Sequence, residues 1–170
     1  MTGPWLVSVS LVLPHGHPWV GAGLIDSYRR LAQLHAAALE ELGVKARALS
    51  PQELPCSNAS SGDRAVAWAC FGGLSPWELV SSDGRKLVGL AQRKRRTGVL
   101  LVAGTLIGAA DWFLLCDAMG QPADEPLLRR STISAEEIAG CRIDPERFAS
   151  VLMRRIGRAL STDGADQSRR

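Results

Sequence analysis

Cys70-Phe-Gly-Gly-Leu-Ser-Pro-Trp-Glu-Leu-Val-Ser-Ser-Asp-Gly-Arg-Lys-Leu-Val-Gly-Leu-Ala-Gln92 is the stretch on which the fold turns. Asp83-Gly84 is a two-residue hairpin signal, because a type I′ turn needs positive φ at both central positions. It joins two expected strands, Glu78 to Ser82 and Arg85 to Gln92. A second turn follows at Arg93-Lys94-Arg95-Arg96-Thr97-Gly98, after which Val99-Leu100-Leu101-Val102 resumes as an apolar run of the kind buried strands use. Three antiparallel strands in a meander are the result. Alternation along a regular strand puts Leu87, Gly89 and Ala91 on one face and Lys86, Val88 and Leu90 on the other. Gly89 and Ala91 then leave a trough where a ligand or a second backbone can approach closely.

The strand Gly84-Arg85-Lys86-Leu87-Val88-Gly89-Leu90-Ala91-Gln92 resembles the lysine-bearing strand of the biotin/lipoate protein ligase family, which includes lipoate–protein ligases and cysteine-dependent octanoyltransferases. Cys70-Phe71 stands where those octanoyltransferases carry a nucleophilic cysteine followed by Phe. The resemblance is sharp from about Ala67 to Ile107 and looser elsewhere. It implies an acyl site built on Cys70 and Lys86, with Phe71, Gly72, Gly73, Arg85, Gly89 and Ala91 around the substrate. It implies an acyl carrier protein or a lipoyl acceptor domain as partner. Two departures from the family pattern stand out. A Gly-rich loop that lines the acyl pocket in the family, N-terminal to the strand matching Trp5 to Leu13, is not found ahead of that strand, and Ala103-Gly104 replaces a frequent His-Gly. These point to a second subunit that carries the missing part, to a degenerate accessory protein, or to a chain that begins late.

The chemistry can be reasoned from the residues themselves. A cation near a thiol favours the thiolate, which is the nucleophilic form, and a thioester can be exchanged onto such a cysteine and passed to an amine. Thioester exchange needs no cofactor. The rival route, ligation through an acyl-adenylate, would use ATP and Mg with Lys86 at the acyl end and Cys70 incidental. Backbone N–H groups around Phe71-Gly72-Gly73 are candidate oxyanion donors. Against these stand plainer readings: free cysteines are mostly buried small hydrophobes, a lysine entering a strand is usually a solvated charge, and a Gly-Gly pair is usually a turn.

The 170 residues, 46% of them hydrophobic, suffice for one buried core. The expected division is a single, N-terminally incomplete domain over 1–160 and a disordered tail over 161–170, where apolar residues run out. No apolar stretch reaches membrane-spanning length, and the N-terminus lacks the basic and apolar regions of a secretory signal. Cys56, Cys70, Cys116 and Cys141 are widely spaced, which suits reduced thiols in a cytoplasmic protein better than disulfides or a metal site. The net charge is only +3, yet Arg93, Lys94, Arg95 and Arg96 gather at one hairpin tip. They are either a solvated turn or a docking surface for an acidic carrier. Nucleic acid is the weaker partner, since no aromatic residues interleave with the charges.

Elsewhere, Trp5 to Leu13 alternates as a first strand ending at Pro14. Leu24 to Leu42 has helical spacing with Gly43 as its stop, and His35 on its apolar stripe reads as a core histidine. Ser50 to Asp63 reads as a mobile loop, and Ala65 to Cys70 as a short strand delivering the thiol. Trp112 to Met119 suits a helix, Ser134-Ala-Glu-Glu137 is a capping box, and Asp144-Pro145 starts a last helix. This order makes an α+β domain with a mixed or antiparallel sheet and packed helices.

Overall fold

In the computed structural model, residues 5–21, 24–54 and 66–167 are described. Strand β1 is Leu6–Leu13, β2 Arg47–Ala48, β3 Leu79–Val80, β4 Lys86–Arg95 and β5 Gly98–Leu106. They form one antiparallel sheet in the order β1-β5-β4-β3-β2. The helices are α1 (Pro18–Gly21), α2 (Leu24–Glu41), α3 (Trp112–Ala118), α4 (Glu125–Ser131), α5 (Ala135–Ala139) and α6 (Pro145–Gln167). The α+β class and the β3–β4–β5 meander are therefore as expected.

Local signals explain most of the boundaries. β1 stops at Pro14, and α2 closes into Gly43 at φ 78°. Ser134 and Glu137 form both halves of the capping box on α5, which ends at Gly140 in the left-handed region. Asp144 accepts from the Glu146 amide at 2.9 Å at the head of α6. That helix continues past Ser161, where the sequence loses its apolar stripe, to Gln167.

The two faces of the sheet differ. Val88, Leu101, Ala103 and Thr105 are fully or almost fully buried, and the apolar ones share a core with Leu31 and Leu39 of α2 and Phe148 and Leu152 of α6. His35 lies in the same layer, its Nδ1 2.8 Å from the Leu31 carbonyl, and so is a core histidine as its spacing suggests. On the opposite face Ser8, Ser10 and Ala91 are exposed, Val12 strongly so, and Leu100 and Val102 are half-buried.

Four expectations are corrected. Only Gly84 of the first hairpin turn has positive φ, so the turn is not type I′. The register shifts within that hairpin: Leu79 pairs with Val88 but Val80 with Lys86, leaving Leu87 as an extra residue. Such a bulge reverses the facing of what precedes it, and Lys86 comes to the same side as Gly89 instead of the opposite one. β4 runs on to Arg95, which pairs with Gly98, so the second turn shrinks to Arg96-Thr97. Finally, Val66 to Cys70 is a set of turns, not a strand. Val66 N–H donates to the Gly72 carbonyl (2.8 Å) and Gly72 N–H to the Ala69 carbonyl (2.8 Å), which folds the apolar segment back on itself. Ala65 and most of the Ser50 to Asp63 loop lie outside the described residues.

Candidate active site

Lys86 is the centre of the site. At the first residue of β4 its backbone carbonyl accepts from the Ile133 amide at 3.0 Å, which anchors the strand start to the segment after α4. Its side chain is 3% exposed. An ammonium buried to that degree must be paired and fully hydrogen-bonded, and this one is: Nζ donates to the Cys70 carbonyl (2.9 Å), the Gly73 carbonyl (2.8 Å) and Glu78 Oε2 (2.8 Å). Those three acceptors use all three of its protons. Burial pulls the Lys86 pKa below the usual lysine value, while the Glu78 carboxylate and, more weakly, Cys70 pull it back up.

Glu78 is a member of the site that sequence reasoning missed. The carboxylate is almost fully buried and takes donors at both oxygens, the Ser75 amide and Lys86 at Oε2 (2.8 Å each) and the Leu90 amide at Oε1 (3.0 Å). It is aimed by the turn Ser75-Pro76-Trp77-Glu78, closed by a 3.3 Å bond from Glu78 N–H to the Ser75 carbonyl. Trp77, the third residue, holds φ 68°. A bulky residue there carries strain of about 1 kcal/mol or more, and such outliers concentrate where a side chain must be placed exactly. The available signal was an acidic residue in an apolar strand, facing a lysine across a hairpin.

Cys70 is exposed at the rim of a cleft of about 250 Å³ that Gly72, Gly73, Glu78 and Lys86 also line. Phe71 is buried, with its ring 5.3 Å from Lys86 Nζ and 6.1 Å from the Trp112 ring. Gly73 belongs to the site through its carbonyl. Gly72 N–H, expected as an oxyanion donor, is instead committed to the Ala69 carbonyl. Arg85 is turned to Asp83 (2.8 Å) and Glu137 (3.9 Å). Gly89 lies against the Lys86 side chain, and Ala91 is exposed farther along β4. Arg93, Lys94, Arg95 and Arg96 are all exposed at the β4–β5 tip. Burial raises the Cys116 thiol pKa, with Asp124 and Glu125 adding to it. Cys141 is exposed, and Cys56 lies outside the described residues.

Known proteins place the chain. No family model matches it. Octanoyltransferase LipM of Moorella thermoacetica is 31% identical over 161 residues, 91% of this chain and 55% of the relative. Octanoyltransferase LipM of Kyrpidia tusciae is 29% identical over 160 residues, again 91% of this chain and 57% of the relative. Biotin protein ligase from Aquifex aeolicus shares the fold at a TM-score of 0.61 and 13% identity, over 93% of this chain and 54% of that one. Over nine tenths of its own length the chain is thus similar to octanoyltransferases in sequence and to biotin and lipoate protein ligases in fold. Lipoate-protein ligase A, solved with ATP, shares the fold at a TM-score of 0.57 and 15% identity, over 92% of this chain and 51% of that one. The chain spans little more than half the length of these curated relatives. The departure at Ala103 is buried opposite Leu90 on the helix-covered face, while its neighbour Gly104 pairs with Gly89 on the other.

Proposed function

We propose that the protein takes part in octanoyl or lipoyl transfer to a lysine of an acceptor lipoyl domain, through a thioester on Cys70. The single observation that carries this reading is the exposed Cys70 on a loop whose own carbonyl is bonded to the buried Lys86 ammonium. The Cys70 thiolate attacks the carbonyl carbon of an octanoyl carrier protein thioester, and the carrier thiolate leaves as the new thioester forms. The acceptor amine then attacks that thioester, giving an amide and returning Cys70 as the thiolate while the amine loses its proton to solvent. Lys86, held by Glu78, polarises the acyl carbonyl in place of the Cys70 and Gly73 carbonyls that it bonds in the unloaded protein. No cofactor enters this route.

Arg93, Lys94, Arg95 and Arg96 are assigned to steering of the acidic carrier, and the compartment is the cytoplasm. Among the described residues no helix is long and apolar enough to cross a membrane. A companion polypeptide that completes the acyl pocket belongs to the same proposal, so the chain alone turns over slowly or not at all. Support comes from the sheet face that leaves Val12 exposed and Leu100 and Val102 half-buried. A non-catalytic accessory role would share that surface, and ATP-dependent ligation with Mg would share Lys86.

Incubation of the chain with octanoyl carrier protein in the absence of ATP, followed by peptide mass mapping, tests the route. An octanoyl group on the Cys70 peptide supports it. Transfer that needs ATP and survives Cys70→Ser would replace it with the adenylate route, and no transfer even with the companion present would leave the accessory role.

A further inference from the structure

Gly89 of β4 and Gly104 of β5 are direct cross-strand partners. Two facing residues without Cβ atoms cut a furrow into the less covered side of the sheet. That furrow is filled. A Cβ on either glycine would lie 3.6 Å from Phe71 Cζ, and one on Gly104 would lie 3.4 Å from Leu6 Cδ1. Trp112 flanks the ring, and its own orientation is set by a 2.9 Å bond from Nε1–H to Thr132 Oγ1. The furrow therefore runs from Leu6 on β1, across β5 and β4, to the Lys86 ammonium. Two inter-strand spacings make that about 10 Å, a length suited to a medium saturated chain with its carbonyl end at the lysine.

The segment bearing Phe71 is tied down in a way that can be undone. Among the described residues it carries no ladder bonds; it is held by its own turn bonds, by a 2.8 Å bond from Trp68 Nε1–H to Asp124 Oδ2, and by the two carbonyls of Cys70 and Gly73 on Lys86 Nζ. With those carbonyls in place Lys86 has no proton left for an acyl oxygen. Removing the ring from the furrow and removing the carbonyls from the lysine are movements of the same few residues.

We propose that Phe71 occupies the acyl-chain furrow of the unloaded protein, and that a medium saturated acyl chain displaces the ring and frees Lys86 in one movement. This rests on the acyl site proposed above. Phe71 is then the residue that sets chain preference, since short acyl groups cannot fill the furrow well enough to hold the ring out.

Octanoate and acetate are the probes, titrated into the full chain and read by calorimetry and by the ring resonances of labelled Phe71. Octanoate should shift those resonances off Trp112, and Phe71→Ala should bind octanoate at least tenfold more tightly than the parent with no gain for acetate. Phe71→Leu, which keeps an apolar side chain, should fall between them and stands in if Phe71→Ala does not fold. Gly104→Val should abolish octanoate binding. Equal or weaker octanoate binding by Phe71→Ala and Phe71→Leu, unmoved ring resonances, or no octanoate binding to any variant would each overturn the inference. Free octanoate has no leaving group and binds without transfer, so displacement of Phe71 by octanoate, together with no Cys70 thioester from octanoyl carrier protein, would refute the transfer route alone. Transfer without a gain in Phe71→Ala would refute only the role of the ring.

Discussion

The two faces of the sheet share strands and differ in what makes them stable. On one, Val88, Leu101 and Ala103 are buried with Leu39, Phe148 and Leu152, and stability comes from apolar area removed from water, roughly 25 cal/mol per Å². On the other, a lysine and a glutamate are buried together in a cage of backbone groups, and the contacting aromatic ring rests on glycines. The first face tolerates a change of side chain if volume is kept. The second depends on charge balance, because a buried ion whose partner is removed is left uncompensated. The Lys86–Glu78 cage is thereby held in place by polar groups that the rest of the fold does not need.

Unbalancing the second face should have the largest effect on stability. Lys86→Met leaves the Glu78 carboxylate buried without its cation and should lower the unfolding free energy by about 3–5 kcal/mol. The paired Lys86→Met/Glu78→Gln variant should recover most of that loss, since no buried charge remains. Urea denaturation of the three proteins decides it. Equal losses in single and double variants would mean that the cage is held by packing and not by charge.

The first face offers a matching test through its one imidazole. Burial holds His35 down at about 4 from 6.5, against the weaker upward pull of the Leu31 carbonyl. As pH falls from about 6.5 to about 4, the unfolded chain takes up a proton that the folded chain refuses. Stability from this group is therefore complete above about 6.5 and is lost through that window, by about 3 kcal/mol. His35→Gln should flatten the acid limb of a stability profile measured by denaturant titration at each pH, and an unchanged limb would show that other groups set it.

The smallest effect on the fold is expected at the basic tip, which belongs to neither face. Replacing Arg93, Lys94, Arg95 and Arg96 by Ser should alter stability by less than about 0.5 kcal/mol. Carrier-protein binding at low salt should weaken and lose its salt dependence. Binding unaffected at low salt would make the tip a solvated turn.

The apolar face was largely legible in the sequence because its signals are local. Helical spacing and Gly43 marked α2, and Ser134 with Glu137 marked α5, and the structure forms each as expected. The other face depends on contacts between distant segments. The bulge at Leu87 follows from the register of β3 on β4, which no property of β4 alone reveals. Val66 to Cys70 has a strand's composition but is drawn into turns by Gly72, whose missing side chain lets it close on Val66. Glu78 stayed hidden because its partners come from Ser75, Lys86 and Leu90 at once. Lys86 was found through family resemblance, and only the structure shows what surrounds it.

Under the proposed route Lys86 and its cage should make Cys70 the most reactive thiol of this chain. Limited alkylation near neutral pH, mapped by mass spectrometry over Cys56, Cys70, Cys116 and Cys141, tests it most directly. The expected result is that Cys70 is labelled first in the parent protein and several-fold more slowly in the folded Lys86→Met/Glu78→Gln variant, with exposed Cys141 as the internal reference. Labelling of Cys141 ahead of Cys70, or a Cys70 rate that does not change when Lys86 is lost, would contradict it.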